Sequence, residues 1–206
     1  MLYKIDIANL ALGRLGQTLT ITDLDTENTN HAKVIRRHFR MSLDTILEKH
    51  DWNFATKFEA LTLQSEDPIV GYRYCYTLPS DLLVIRQIAE EGIFNPNKQY
   101  EHEKAKFRLV YNGAGQRIIY TNVQNAHAEY TVRLPESSAF PNHFGRAFAA
   151  QLSMDIAPQL ITNNYSKVSE SINTLAMNDI NNGIAFDLGQ QPLPEDPASP
   201  FQSVRW

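Results

Sequence analysis

The chain has 206 residues, 43% of them apolar and 10% aromatic, enough for one core or one core with a smaller satellite and too few for two ordinary domains. Nineteen Lys and Arg against 23 Asp and Glu leave a formal charge of -4, which offers no broad positive field and disfavours sequence-directed nucleic-acid binding. The single cysteine, Cys75, excludes an internal disulfide and a Cys-based zinc site and fits a reducing compartment.

Met1 to Asp6 carry neither the basic stretch nor the apolar core of a signal peptide, and no run approaches the roughly 18 apolar residues of a membrane span. A chain made in the cytoplasm, with no membrane partner, is expected. Ile5, Ala8, Leu12 and Leu15 recur at helical spacing and Gly16 follows as a left-handed terminator, which predicts a short first helix over 5–15. Asp25, Thr26 and Thr29 are candidate caps for a second helix whose face is Ala32, Ile35, Phe39, Leu43 and Ile46, ending near His50.

From Phe54 the apolar period becomes two. Strands are predicted around Phe54 to Leu63, Tyr72 to Thr77, Leu83 to Ile88, Phe107 to Tyr111, Ile118 to Tyr120 and Ala128 to Leu134. Pro79-Ser80-Asp81 and Asn112-Gly113-Ala114-Gly115 are the turns between them, and together these segments read as an antiparallel meander. Helical spacing returns after Pro141 with Phe144, Phe148, Leu152 and Ile156, and Pro158 is expected to end or kink that helix. A fourth helix from about Asn164 places Tyr165, Val168, Ile172, Leu175 and Ile180 on one face. Residues 192–206 hold four of the ten prolines together with Phe201, Val204 and Trp206, and read as an arm that orders against a neighbouring subunit.

The predicted fold class is α+β: a four-helix bundle from the N- and C-terminal helices, an antiparallel β-meander inserted between helices 2 and 3, and an extended C-terminal arm. The corresponding boundaries are residues 1–53 and 137–186 for the bundle, 54–136 for the sheet and 187–206 for the arm.

Little in the sequence points to catalysis. The nine glycines form no phosphate-binding pattern, and His31, His38, His50, His102, His127 and His143 lack the close pairing of a zinc-protease helix. Glu48 with Asp51, and Glu101 with Glu103, are the carboxylates that acid-base chemistry would use, but pairs at a helix end or on a strand face are ordinary solvated groups. No nucleophile elbow occurs. The expectation is no catalytic residue, no cofactor and no metal. Lys33, Arg36, Arg37 and Arg40 form a basic stripe on the second helix, either a solvated flank or a patch that meets an acidic surface or passing DNA.

Several ordered fragments resemble one family. Asn9-Leu10-Ala11-Leu12-Gly13-Arg14-Leu15-Gly16 followed by Ile21 is similar to its first helix and loop, and His50-Asp51-Trp52-Asn53-Phe54-Ala55 to its tryptophan motif between the long helix and the first strand. Tyr72 through Asp81 resembles a strand running into a Leu-Pro-Ser-Asp turn, Tyr130 through Arg133 the last strand, and Phe140, Phe144, Ala147 and Leu152 the third helix. The family is the head-to-tail connector adaptors of tailed bacteriophages, of the tail tubular protein A type, and the match spans about residues 3–185. Pro158 and the segment from Glu90 to Lys106 depart from it.

That resemblance implies a structural virion protein at the head-tail interface, made in the host cytoplasm. It forms a dodecameric ring joining the portal protein to the tail nozzle or tail tube, with genomic DNA passing through without sequence-specific binding. Trp52 would plug the core at the helix-strand junction. Arg36, Arg37 and Arg40, with Phe201, Val204, Arg205 and Trp206 in the arm, are the expected partner-contact residues. The rival expectation is a tail-associated cell-wall or polysaccharide hydrolase using Glu48 and Asp51; a small DNA-binding regulator using the arginine stripe is a third.

Overall fold

The structure is a computed structural model and describes residues 1–64, 71–90, 105–161 and 165–190. Among these the chain is mixed α+β, with four α-helices and seven strands in two antiparallel sheets. It divides into a helical unit, Met1–Thr56 with Thr131–Gln190, and a strand unit over Lys57–Tyr130.

In the helical unit α1 spans Lys4–Arg14 and α2 spans Asn30–Lys49. The Tyr3 N–H donates to the Asp6 carboxylate at the start of α1, and Gly16 follows its end at φ +69°, a conformation glycine adopts without Cβ strain. Of the three expected caps of α2 it is Thr29 that acts, its hydroxyl accepting the Ala32 N–H. Asn9 then ties the intervening loop down. Its side chain donates to the Ile21 carbonyl and accepts the Ile21 N–H, both at 2.9 Å, and Ile21 is buried.

Helix α3 spans Asn142–Leu160 and packs against α1, α2 and α4 (Tyr165–Leu188). A helix covered on so many sides must be apolar around most of its circumference. Phe144, Ala147, Phe148, Ala149, Ala150, Leu152, Ile156 and Ala157 are accordingly all buried. Pro158 does not stop it at Ala157. The helix runs on to Leu160, so the proline removes one ladder bond within the last turn, where the helix is about to end anyway.

Two expectations about α4 are corrected. Its buried stripe is Ala176, Ile180, Gly183 and Asp187, while Val168 and Leu175, expected on the inner face, are exposed. A Cβ at Gly183 would lie 3.1 Å from both Ala147 Cβ and the His143 carbonyl, so small residues on α4 permit a close approach that larger apolar side chains would block. The helix also continues through Leu188 and ends in a turn at Gly189 and Gln190, so residues 187–190 are not part of an arm; residues 191–206 lie outside the described residues.

In the strand unit the strands are β1 (Thr56–Ala60), β2 (Thr62–Leu63), β3 (Tyr74–Thr77), β4 (Leu82–Glu90), β5 (Phe107–Tyr111), β6 (Arg117–Thr121) and β7 (Ala126–Val132). They do not follow one another as a meander. One sheet has the order β1-β7-β4 and the other β2-β3-β6-β5. The Pro79–Asp81 turn, closed by Leu82 N–H to the Pro79 carbonyl at 3.3 Å, redirects the chain between sheets, so β3 and β4 are close in sequence without pairing. Strands β5 and β6 form the expected tight hairpin. Cys75, Ile118 and Tyr120 make a small core cluster against which Tyr72 and Val110 pack. The Tyr76 hydroxyl donates to the Val123 carbonyl and accepts the Ala126 N–H.

Candidate functional site

The basic stripe of α2 separates into inward and outward members. One Arg36 guanidinium nitrogen donates to three carbonyls of the preceding loop, Leu24 at 2.7 Å, Asp25 at 3.0 Å and Glu27 at 2.9 Å. Arg40 pairs with Asp44 one turn on and donates to the Leu134 carbonyl at 2.7 Å, and Arg133 joins the same Asp44 carboxylate at 2.7 Å. Arg36 and Arg40 are thus occupied in holding their own unit together. Lys33 and Arg37 point outward; Arg37 makes one long bond, 3.4 Å, to Gln159. Phe201, Val204, Arg205 and Trp206 lie outside the described residues.

The tryptophan motif converges on a buried carboxylate that spacing alone does not single out. Trp52 is fully buried, donates its indole N–H to the Ile46 carbonyl at 2.8 Å, and meets Phe144 edge-on with ring centroids 4.9 Å apart. Beside it Asp187, 1% exposed, accepts from His50 Nε2 and the Asn53 N–H, both at 3.1 Å, and from His143 Nε2 at 3.3 Å. Asn53 Nδ2 also donates to the Asp187 carbonyl at 2.8 Å. The end of α2, the start of α3 and the last turn of α4 are fastened together here. A carboxylate shielded from water needs such donors, since burying it unsatisfied costs several kcal/mol.

The strand unit holds a second polar cluster. The Tyr130 hydroxyl lies 2.8 Å from Glu59 and 2.9 Å from Asp81, and Lys57 bridges those two carboxylates at 3.1 Å each. One hydroxyl proton serves two acceptors, and the ammonium supplies the compensating charge. Hydrogen bonds from Tyr130 and then Lys57 hold Glu59 below its ordinary range. Burial pushes Asp81 up, but its bonds to Lys57 and Tyr130 outweigh that and its net shift is also downward. Burial, followed by the two carboxylates, raises Tyr130, while Asp81 and Glu59 raise Lys57. Acid-base hydrolysis by a carboxylate pair requires one member to keep its proton near neutral pH, and neither shift goes that way.

Elsewhere, Glu48 is exposed on the last turn of α2 and Asp51 is half-buried just beyond it. Glu101, His102 and Glu103 lie outside the described residues. Among the described residues no group of three or more His, Cys, Asp or Glu is placed to hold a metal ion, and no helix is long and apolar enough to cross a membrane. Helix α4 carries several exposed apolar side chains, Val168, Leu175, Met177, Phe186 and Leu188. Searches of protein-family models and of curated proteins give no match to the chain.

Proposed function

We propose that the chain is a non-enzymatic ring subunit, the head-to-tail adaptor of a tailed phage virion. In this reading it joins the portal protein to the tail nozzle or tube around a channel for genomic DNA. The observation that carries the proposal is physical coupling inside the fragments that resemble the family. Asn9 clamps Ile21 through a two-way hydrogen bond, and Trp52 fills the junction where the long helix hands over to the strands. Residues that only shared an order in the sequence form working joints.

In the proposed assembly the four helices act as one bundle interrupted in sequence by the strands, and copies associate as a dodecamer. Arg37, the outward member of the arginine stripe, meets a partner, while Arg36 and Arg40 shape the surface it stands on. The arm residues Phe201, Val204, Arg205 and Trp206 contact a neighbouring subunit. The outward apolar residues of α4, among them Leu175, Met177 and Phe186, suit a subunit contact, because burying them removes apolar surface from water.

The test is to mix the full chain with its portal protein and image the product by electron microscopy. Rings seated on portals are expected, and absence of any ring or portal complex under assembly conditions refutes the reading. A chain lacking residues 192–206 is expected to keep the melting temperature of the monomer and lose assembly.

A further inference from the structure

The dipeptide Asn-Gly occurs twice, at Asn112–Gly113 and Asn182–Gly183, and the fold treats the two pairs differently. Asn112 opens the exposed turn between β5 and β6. Its side-chain oxygen accepts the N–H of Ala114 at 3.1 Å and of Gln116 at 2.8 Å, and the turn is closed by Asn112 N–H to the Gln116 carbonyl and Gly115 N–H to the Asn112 carbonyl, both at 2.9 Å. The Gly113 N–H is the donor in none of these bonds. Asn182 sits inside α4, where the N–H of its successor, the buried Gly183, belongs to the helical ladder.

We propose that Asn112 is a self-modification site, converting spontaneously from amide to acid in the folded protein, whereas Asn182 is protected by its helix. The Gly113 nitrogen, after losing its proton to solvent hydroxide, bonds to Asn112 Cγ, and the carbonyl electron pair moves onto Oδ1. There the Ala114 and Gln116 N–H groups stand where they stabilise the oxyanion, as preorganised donors do in acyl transfer. Collapse breaks the Cγ–Nδ2 bond, and ammonia leaves with a proton taken from water. Water then opens the cyclic imide on either side, giving aspartate or an isoaspartyl link in which the main chain runs through the former side chain. One amide nitrogen is lost as ammonia and one water is consumed.

Either product places a negative charge on the hairpin tip next to Arg117. The isoaspartyl form also adds a methylene to a turn whose ring is closed by backbone hydrogen bonds, so it breaks the β5–β6 register at Tyr111 and Arg117.

The experiment incubates the full chain in mildly alkaline buffer, folded and in concentrated urea, and reads Asp and isoaspartate at positions 112 and 182 by peptide mass spectrometry. In urea both sites are expected to convert. In the folded chain Asn112 keeps or exceeds its urea rate while Asn182 slows by at least on the order of tenfold, equivalent to about 1.4 kcal/mol of activation free energy. Slowing of Asn112 on folding to the same degree as Asn182 overturns the proposal. Gly113→Ala is the companion variant, because its Cβ meets nothing within 4 Å and its φ lies outside the left-handed region, so the turn is kept. It is expected to slow conversion at 112 on the order of tenfold in both states. An unchanged rate would show that the residue 113 nitrogen is not the nucleophile.

Discussion

Replacing Asp187 by alanine tests whether the buried carboxylate is the joint that holds the last turn of α4. The substitution removes the acceptor of His50, His143 and the Asn53 backbone N–H, leaving the Asn53 side-chain bond to the 187 carbonyl formally intact. The imidazoles are 13% and 14% exposed and can turn towards water, so each loses only part of its bond. The Asn53 N–H, fixed by the backbone, loses the same carboxylate acceptor, and a hydrogen bond to a charged group is worth about 1.5–3 kcal/mol. Together the loss is expected to be about 2–4 kcal/mol, which lowers the melting temperature of the helical unit by on the order of 10 °C. Asp187→Asn, keeping one acceptor oxygen and turning an amide NH2 towards another donor, is expected to lose about half as much. The assay is urea denaturation followed by far-ultraviolet circular dichroism, with tryptophan fluorescence reporting the surroundings of Trp52. A loss under about 0.5 kcal/mol for Asp187→Ala, the size of an ordinary surface change, would refute the reasoning.

Three further outcomes follow from the geometry. A Cβ at Gly145 would stand 2.7 Å from Leu2 Cδ1 and 3.1 Å from its Cβ, so Gly145→Ala is expected to cost about 1–3 kcal/mol by overpacking and to be partly rescued by Leu2→Ala, measured as a double-mutant cycle of stabilities. Arg36→Ala is expected to speed amide hydrogen exchange across residues 22–29 and destabilise the unit by about 1–3 kcal/mol, whereas Arg37→Ala stays within about 0.5 kcal/mol; equal effects would show that Arg36 does not hold the loop. Glu59 and Asp81 have folded-state pKa values below their unfolded ones, so they contribute stability that is complete above the ordinary carboxylate range and is lost as pH falls through the folded values. The strand unit should therefore lose stability below about pH 4, and Lys57→Met should flatten that acid limb when melting is followed against pH.

What the sequence settled by itself is local. The terminator at Gly16, the period of α2 and the β5–β6 turn each depend on residues within a few positions of one another, and local sterics and hydrogen bonding suffice to specify them, whereas the cap of α2 was narrowed only to Asp25, Thr26 or Thr29. The burial of Trp52 was legible through the resemblance of its motif. Tertiary structure decided the remainder, because it concerns partners far apart in the chain. Strand β7 lies between β1 and β4, and β3 pairs with β6, through pairings that no local period encodes. Helix α4 carries apolar side chains on more than one flank, so its period does not say which flank is buried; the small residues Ala176 and Gly183, which let it approach α3, decide that. Arg36 and Arg40 read as a stripe open to partners until the fold brings the 22–29 loop and Leu134 to them. Asp187 looks like an ordinary acid in the last turn of a helix, and only folding places His50, 137 residues earlier, against it.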